Sequence, residues 1–334
     1  MTIPDGPEPR VVTGLSIEAD PLLDALDGPR SGPAVVAIGG GHGLAQALGA
    51  VSRYAGRIHA VVTVADDGGS SGRLAPDLEI PPPGDIRQCL IALTPDDSMW
   101  KRLFEYRFAG SDVIGHSLGN LIIAALADLE GSFEAALRDA ERMLGAIGSV
   151  VPAADRRLLL EAVVDGVSVS GQVAIARSRG QITELAAKPV EAAATVNAVE
   201  ALLDADQIVL GPGSLYTSIM AVLVVPGITE AINNSDAKLV YVCNLITQDG
   251  ETLGMDGADH LDALLSLTGM RPPNAIVANT KAIEIEPPLT AVVVDEDTIA
   301  TYGVDVTAAD LVDPGADWPR HDAARLGGVL ARLI

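Results

Sequence analysis

Cysteine, aromatic residues and positive charge are all scarce in this chain, and each shortage excludes something. The two cysteines, Cys89 and Cys243, form no C-x-x-C pair and no Cys/His spacing that would ligate a metal. A disulfide framework and a zinc module are therefore excluded, and both thiols, set in apolar surroundings, read as buried and reduced. Lysine and arginine number 22 against 45 aspartates and glutamates, a net charge of −23. So acidic a surface repels phosphate backbones, which argues against nucleic acid as a partner but leaves room for a small anion held by local arginines and backbone N–H groups. Aromatic residues make up 3% of the chain, little support for stacking a flavin. No apolar run reaches the roughly 18 residues that membrane insertion needs, and Leu121–Ala127 is soon stopped by Asp128. No basic stretch followed by an apolar core opens the sequence, so a cytoplasmic protein without membrane insertion is expected.

The chain does hold ample material for a large core: 334 residues, 48% of them hydrophobic. Its first 33 residues carry six prolines among acids and glycines, which predicts a flexible tail with a short helix over Ile17–Leu26. Residues 34–334 are expected to form a single domain. That domain opens with two apolar runs, Ala34–Ile38 and Ile58–Val64, each ending in a glycine-rich polar turn. Strand, glycine loop, helix and second strand make a βαβ unit, whose loops lie beyond the carboxyl ends of parallel strands, where such sheets bind ligands. The predicted fold class is α/β: a Rossmann-like parallel sheet with helices on both faces, a helical segment and a small antiparallel extension.

Three loops carry the candidate chemistry. In the first, Gly39, Gly40, Gly41, His42, Gly43 and Leu44, backbone N–H groups can turn onto a phosphate at the start of a helix. Leu44 stands where G-x-G-x-x-G would place its third glycine. In the second, Asp66 and Asp67 offer acceptors for ribose hydroxyls or ligands for Mg²⁺, and Ser70, Ser71 and Arg73 offer phosphate donors. In the third, Gly211, Pro212, Gly213, Ser214 and Leu215 follow the apolar run Gln207–Leu210 and precede another apolar helix, with Ser214 and Thr217 as side-chain donors.

Between these loops, Pro81–Pro83 and Gly84 lead into a helix with Asp85 placed as its cap or as a ligand contact, and Arg87 one turn later. Gly115–Asn120 opens a further apolar helix, making His116 and Asn120 ligand contacts or loop-fixing donors. Alternation between Leu158 and Lys188 predicts the antiparallel extension. Further strands are expected at Lys238–Asn244, Ala275–Ala278 and Ala291–Val294. Before the last helix, Asp322 reads as its N-cap and Arg320 as a free cation.

The motifs GGGHGL, VTVADDGGSSGRL, PPGDIRQCL, GHSLGNL, LGPGSLYTS and VCNLITQDGET, in this order from Gly39 to Thr252, resemble the YvcK gluconeogenesis factors, a branch of the superfamily of the 2-phospho-L-lactate transferase CofD. His42 stands where members of that branch commonly carry threonine. The resemblance implies a Rossmann-like core, a uridine-diphosphate sugar such as UDP-N-acetylglucosamine as ligand, and no required cofactor, with Mg²⁺ optional. It also implies a regulator that links gluconeogenic carbon metabolism to peptidoglycan synthesis and cell shape through a protein partner in cell-wall precursor synthesis. The three glycine loops would surround the diphosphate and sugar, and Arg320 would stand near the phosphate, with Asp85, Asn120 and Asn244 as further contacts. Self-association into a homo-oligomer is left open.

Two other readings compete. One is a Mg²⁺-dependent phospholactyl transferase of the CofD kind, with Asp66, Asp67 and Asp85 neutralising the leaving diphosphate. The other is a dinucleotide-dependent oxidoreductase, disfavoured by the misplaced third glycine and the lack of an evident proton-transfer pair.

Overall fold

The computed structural model describes residues 31–110 and 112–334. Most of the expected tail, with the helix over Ile17–Leu26, lies outside the described residues. The core is a seven-stranded sheet in the order β10-β9-β8-β7-β1-β2-β3. Its strands are β1 (Ala34–Gly39), β2 (Arg57–Val62), β3 (Ser149–Pro152), β7 (Gln207–Leu210), β8 (Lys238–Val242), β9 (Ala275–Asn279) and β10 (Asp305–Ala309). Every pairing in it is parallel. The chain runs outward from β1 through β2 to β3, then returns to β7 on the other side of β1 and runs out to β10. The strand order therefore reverses between β1 and β7, and a parallel sheet opens a crevice at such a point, beyond its carboxyl ends.

β1 and β7 are buried at every position. Parallel strands covered on both faces read as continuous apolar runs, as AVVAI and QIVL do. The predicted antiparallel extension is present as β4 (Leu159–Val164), β5 (Val167–Ser170) and β6 (Ile182–Lys188), in the order β5-β4-β6.

Helices α1 (Gly41–Val51), α2 (Gly69–Leu78), α3 (Pro83–Ala92), α4 (Leu118–Glu130), α5 (Phe133–Leu144), α6 (Gly257–Thr268) and α7 (Ala323–Leu330) are the longer connections that bear on the site. Local chemistry sets their ends. Ser132 accepts the Ala135 N–H at the start of α5, left-handed Gly145 ends it, and Ala136, Leu137, Ala140 and Leu144 form its buried stripe. Asp322 caps α7 as expected, accepting from Ala324 and Arg325 N–H groups. α7 packs on α1, with Gly327 against the Ala50 carbonyl and Ala323 against Gly49. That packing carries the residues just before α7 to the mouth of the β1–β7 crevice.

Two element expectations are corrected. Ala291–Val294 is not a strand; Ala291 alone forms an antiparallel bridge, with Ile246. Its apolar run follows Pro287-Pro288 and serves to tie down the loop after β8. The seventh strand is instead β10, whose DVTAA is exposed or half-buried throughout, so the apolar signal that marks the inner strands is missing. No single helix among the described residues is long and apolar enough to cross a membrane; the apolar pair Leu215–Leu223 and Ile228–Asn234 is bent by 72° and its first member is buried in the core.

Ile38 is fully buried near the carboxyl end of the inner strand β1. Ile38→Ala is expected to cost about 2–5 kcal/mol, measured as a lower urea midpoint with an unchanged m-value.

Candidate ligand-binding site

The loops after β1 and β7 touch. A Cβ on Gly43 would run into the Pro212 carbonyl and the Gly213 Cα, so glycine at 43 is required by close approach of two backbones. Asn244, just past β8, locks the other side: its Oδ1 accepts the Gly213 N–H at 3.0 Å and its Nδ2 donates to the Gly213 carbonyl at 2.8 Å. Beside this contact lies a cleft of about 400 Å³ whose lining includes Gly43, Gly213, Asn244, Leu289, Trp318 and Arg320. Its size falls within the roughly 300–1,000 Å³ of small-molecule sites. At its edge α1 begins with Gly40 as N-cap and no side chain on its first N–H groups from outside that turn except Asp85, which accepts from Gly41. The N–H groups of His42 and Gly43 thus face an anion-favouring end of the helix dipole.

Six of the predicted site residues line this cleft: Gly43, Pro212, Gly213, Ser214, Asn244 and Arg320. Leu44 and Leu215 have wholly buried side chains and belong to the core, fixing the loops from beneath. Arg320 is not a free cation. It is paired with Asp313, Nε and Nη2 each at 2.8 Å from Oδ2, because the chain between them turns back through a bridge of Val312 with His321.

The third loop also departs from expectation. Glu251, buried, accepts the N–H groups of Tyr216 at 3.0 Å and Thr217 at 3.2 Å and the Thr217 hydroxyl at 2.5 Å. These are the donors that the sequence offers to a phosphate, already taken by a carboxylate of the chain itself at the head of the π-helical turn Leu215–Met220. Burial raises the Glu251 pKa against the pull of these donors. Ser214 is likewise engaged, donating to Gln248 at 2.8 Å, and Gln248 donates to Glu251 at 3.2 Å.

The remaining predicted residues form a second group, beside the first glycine loop. Asp85 is not a helix cap: Pro82 holds that position, and Asp85 lies within the first turn of α3, because proline at the helix start supplies the fixed φ and needs no capped N–H. Instead Asp85 sits under Gly40, where a Cβ would strike its carboxylate. Burial first, then the nearby Asp66 charge, push its pKa up to about 7. Asp66 is raised too, chiefly by burial, while accepting from Gly68 at 2.9 Å and from Ser71. Ser71 in turn accepts the Gly84 N–H at 2.9 Å.

Asp67 points elsewhere, accepting the Val173 N–H at 3.0 Å, so it fastens the antiparallel extension rather than joining Asp66 and Asp85. Arg73 donates to the Ile114 carbonyl at 2.8 Å. Ser70 closes a buried chain in which Arg87 donates to Asn120 at 3.0 Å, Asn120 donates to Ser70 at 3.0 Å, and Ser70 meets His116 Nδ1 at 2.9 Å. His116 and Asn120 thus fix the loops, one of the two roles expected of them.

Sequence reasoning missed Trp318, His321, Gln248 and Glu251 as site residues. The first two lie within two positions of Arg320. Gln248 and Glu251 follow β8, the neighbour of β7, so the parallel order sets them against the Gly-Pro-Gly-Ser loop. His321 lines the cleft, donates to the Cys243 carbonyl, and is held neutral by burial with its pKa down to about 4. Its Nε2 has no partner.

A family model described as 2-phospho-L-lactate transferase CofD matches residues 35–312. The chain belongs to the CofD family. Within the CofD family it is similar to proteins named gluconeogenesis factor. That of Halalkalibacterium halodurans is 38% identical over 301 residues, 87% of this chain and 94% of the relative. That of Bacillus subtilis is 38% identical over 311 residues, 90% and 98% of the two chains. The crystal structure of a UPF0052 family member from Bacillus halodurans superposes with a TM-score of 0.85 at 37% identity, covering 88% of this chain and 98% of that one. This places the CofD-family chain with the YvcK branch to which its motifs are similar.

Asp85 yields a pH prediction. Its folded pKa lies above the ordinary carboxylate value of about 4, so the fold favours the protonated form. That contribution is complete below the ordinary value and is lost as pH rises through about 7. Asp85→Asn, neutral throughout, is expected to gain melting temperature relative to the wild type between pH 5 and pH 8; parallel curves for the two proteins would refute the assignment.

Proposed function

We propose that this chain binds a nucleoside-diphosphate sugar of the UDP-N-acetylglucosamine type in the β1–β7 cleft and acts as a regulator. The observation that carries this reading is the contact of Gly43 with Pro212 and Gly213 at the reversal of strand order, which sets the open N-terminus of α1 beside a cleft of small-molecule size. Arg320 adds a positive group at the rim. The protein as a whole is strongly acidic, so binding of an anion has to rest on such local donors.

The name gluconeogenesis factor borne by the relatives supports a role in carbon metabolism. The link to peptidoglycan and cell shape, through a protein partner in cell-wall precursor synthesis, is part of the same proposal. So is a cytoplasmic site of action, where nucleotide sugars of this kind are made.

A second reading, phospholactyl transfer, is favoured by the family model and by the facing carboxylates of Asp66 and Asp85. A buried Asp85 and a half-buried Asp66, both with raised pKa values that Arg87 only partly offsets at Asp85, fit a magnesium ion that keeps several waters and takes phosphate oxygens. Asp66 and Asp85 would hold it, and Asp67 would not. Such an ion would neutralise charge on a leaving diphosphate.

Isothermal titration with UDP-N-acetylglucosamine, with and without Mg²⁺, separates the two. Binding without turnover is expected. Arg320→Ala is expected to weaken it about five- to fiftyfold, in line with about 1–2 kcal/mol for a partly screened charge-assisted contact. Gly43→Ala, which forces the two loops apart, is expected to abolish measurable binding while the protein stays folded by circular dichroism. A Mg²⁺-dependent product released from a nucleotide donor would decide for the transferase.

A further inference from the structure

Trp318 is one of two tryptophans in the chain, and it forms part of the cleft wall beside Arg320 while remaining 58% exposed. Its indole is outside the aromatic pairs found among the described residues, Tyr106 with Phe108 and Tyr241 with His260. The same lining holds the apolar Leu245, Ile246, Leu289 and Pro319 together with polar side chains. Of these, Asn244 is committed by both ends to Gly213, Gln248 to Ser214 and Glu251, and Asp249 to Arg179. Trp318 gives the cleft an exposed flat aromatic face, whereas the glycine-loop end offers backbone N–H groups.

We propose that Trp318 is the stacking platform for the nucleobase of the bound nucleotide, with the phosphates directed toward the N-terminus of α1. The assignment rests on the nucleotide-sugar reading above and gives it an orientation. A base presents two π-faces that an indole covers without hydrogen bonds, and its polar edge stays toward the solvent-open rim. Stacking of this kind tolerates different bases, so it supplies affinity more than base selectivity.

The test uses the full chain with Trp100→Phe, which leaves Trp318 as the single tryptophan. Titrations with UDP-N-acetylglucosamine, UDP and N-acetylglucosamine 1-phosphate are followed by heat and by indole fluorescence. The expected result is quenching with the two uridine compounds and none with the sugar phosphate. Trp318→Ala should weaken UDP about ten- to hundredfold, and Trp318→Phe should keep most of the affinity. Since the side chain is largely exposed, neither change should move the melting temperature. Heat of UDP binding with no change in fluorescence, or quenching by the sugar phosphate equal to that by UDP, overturns the stacking assignment and leaves the nucleotide-sugar reading standing. No heat from any of the three overturns both.

Discussion

Everything at the candidate site depends on the close approach of Gly43 to Pro212 and Gly213. Two strands adjacent in a parallel sheet lie about 5 Å apart, and the loops that leave them normally diverge to follow helices on opposite faces. Here a glycine without a Cβ lets them meet, and the Asn244 amide, bonded to both the N–H and the carbonyl of Gly213, holds the second loop in place. The start of α1, the Gly-Pro-Gly-Ser loop and the end of β8 therefore form one rigid rim. α7, packed on α1 through Gly327 and Ala323, adds the segment Trp318–His321 to that rim from the far end of the chain.

The chain satisfies many of its own donors, and this separates the loops that merely look alike in sequence. Helix and turn beginnings leave N–H groups unbonded, and each glycine loop presents such groups. Glu251 takes those of Tyr216 and Thr217, and Asp85 takes that of Gly41. What the first loop retains is the next pair, at His42 and Gly43, at the edge of the cleft. An anion there adds to a helix dipole without displacing a carboxylate, while at the third loop it would have to expel Glu251 from a buried and well-bonded position. The first loop is thus the one that keeps backbone donors unbonded, and the third loop is chiefly a wall of the cleft.

How far the sequence could be read follows from the range of the forces involved. β1, β2 and β7, and the extension β4–β6, are legible because burial writes apolar runs or alternation directly into their residues. β10 is not, because an exposed edge strand has no such pattern, and Ala291–Val294 mimics a strand because it is a short apolar run in which Val292 is buried while Val293 is exposed. Asp322 is legible as a cap since capping is local. Of the two roles open to Asp85, the cap fails because its actual partner, the Gly41 N–H, lies more than forty residues away in sequence. The same distance problem hides Glu251, Gln248 and the Asp313 partner of Arg320. Glycine loops announce that a backbone turns sharply, but which carboxylate reaches them is settled by strand order.

The raised pKa values of Asp66 and Asp85 fit the same logic. Asp85, beneath Gly40 and Gly41, and Asp66, beside Gly84, cost stability when both are ionised, a repulsion that Arg87 only partly offsets at Asp85. A chain that needed only to cover Gly40 and Gly84 could place small apolar residues beside each and gain stability, as replacement of buried charge by apolar groups commonly does. Keeping two acids side by side is therefore a cost to the fold, which any attractive partner for the same oxygens would relieve. The Arg87–Asn120–Ser70–His116 chain beside them ties α2, α3 and α4 together.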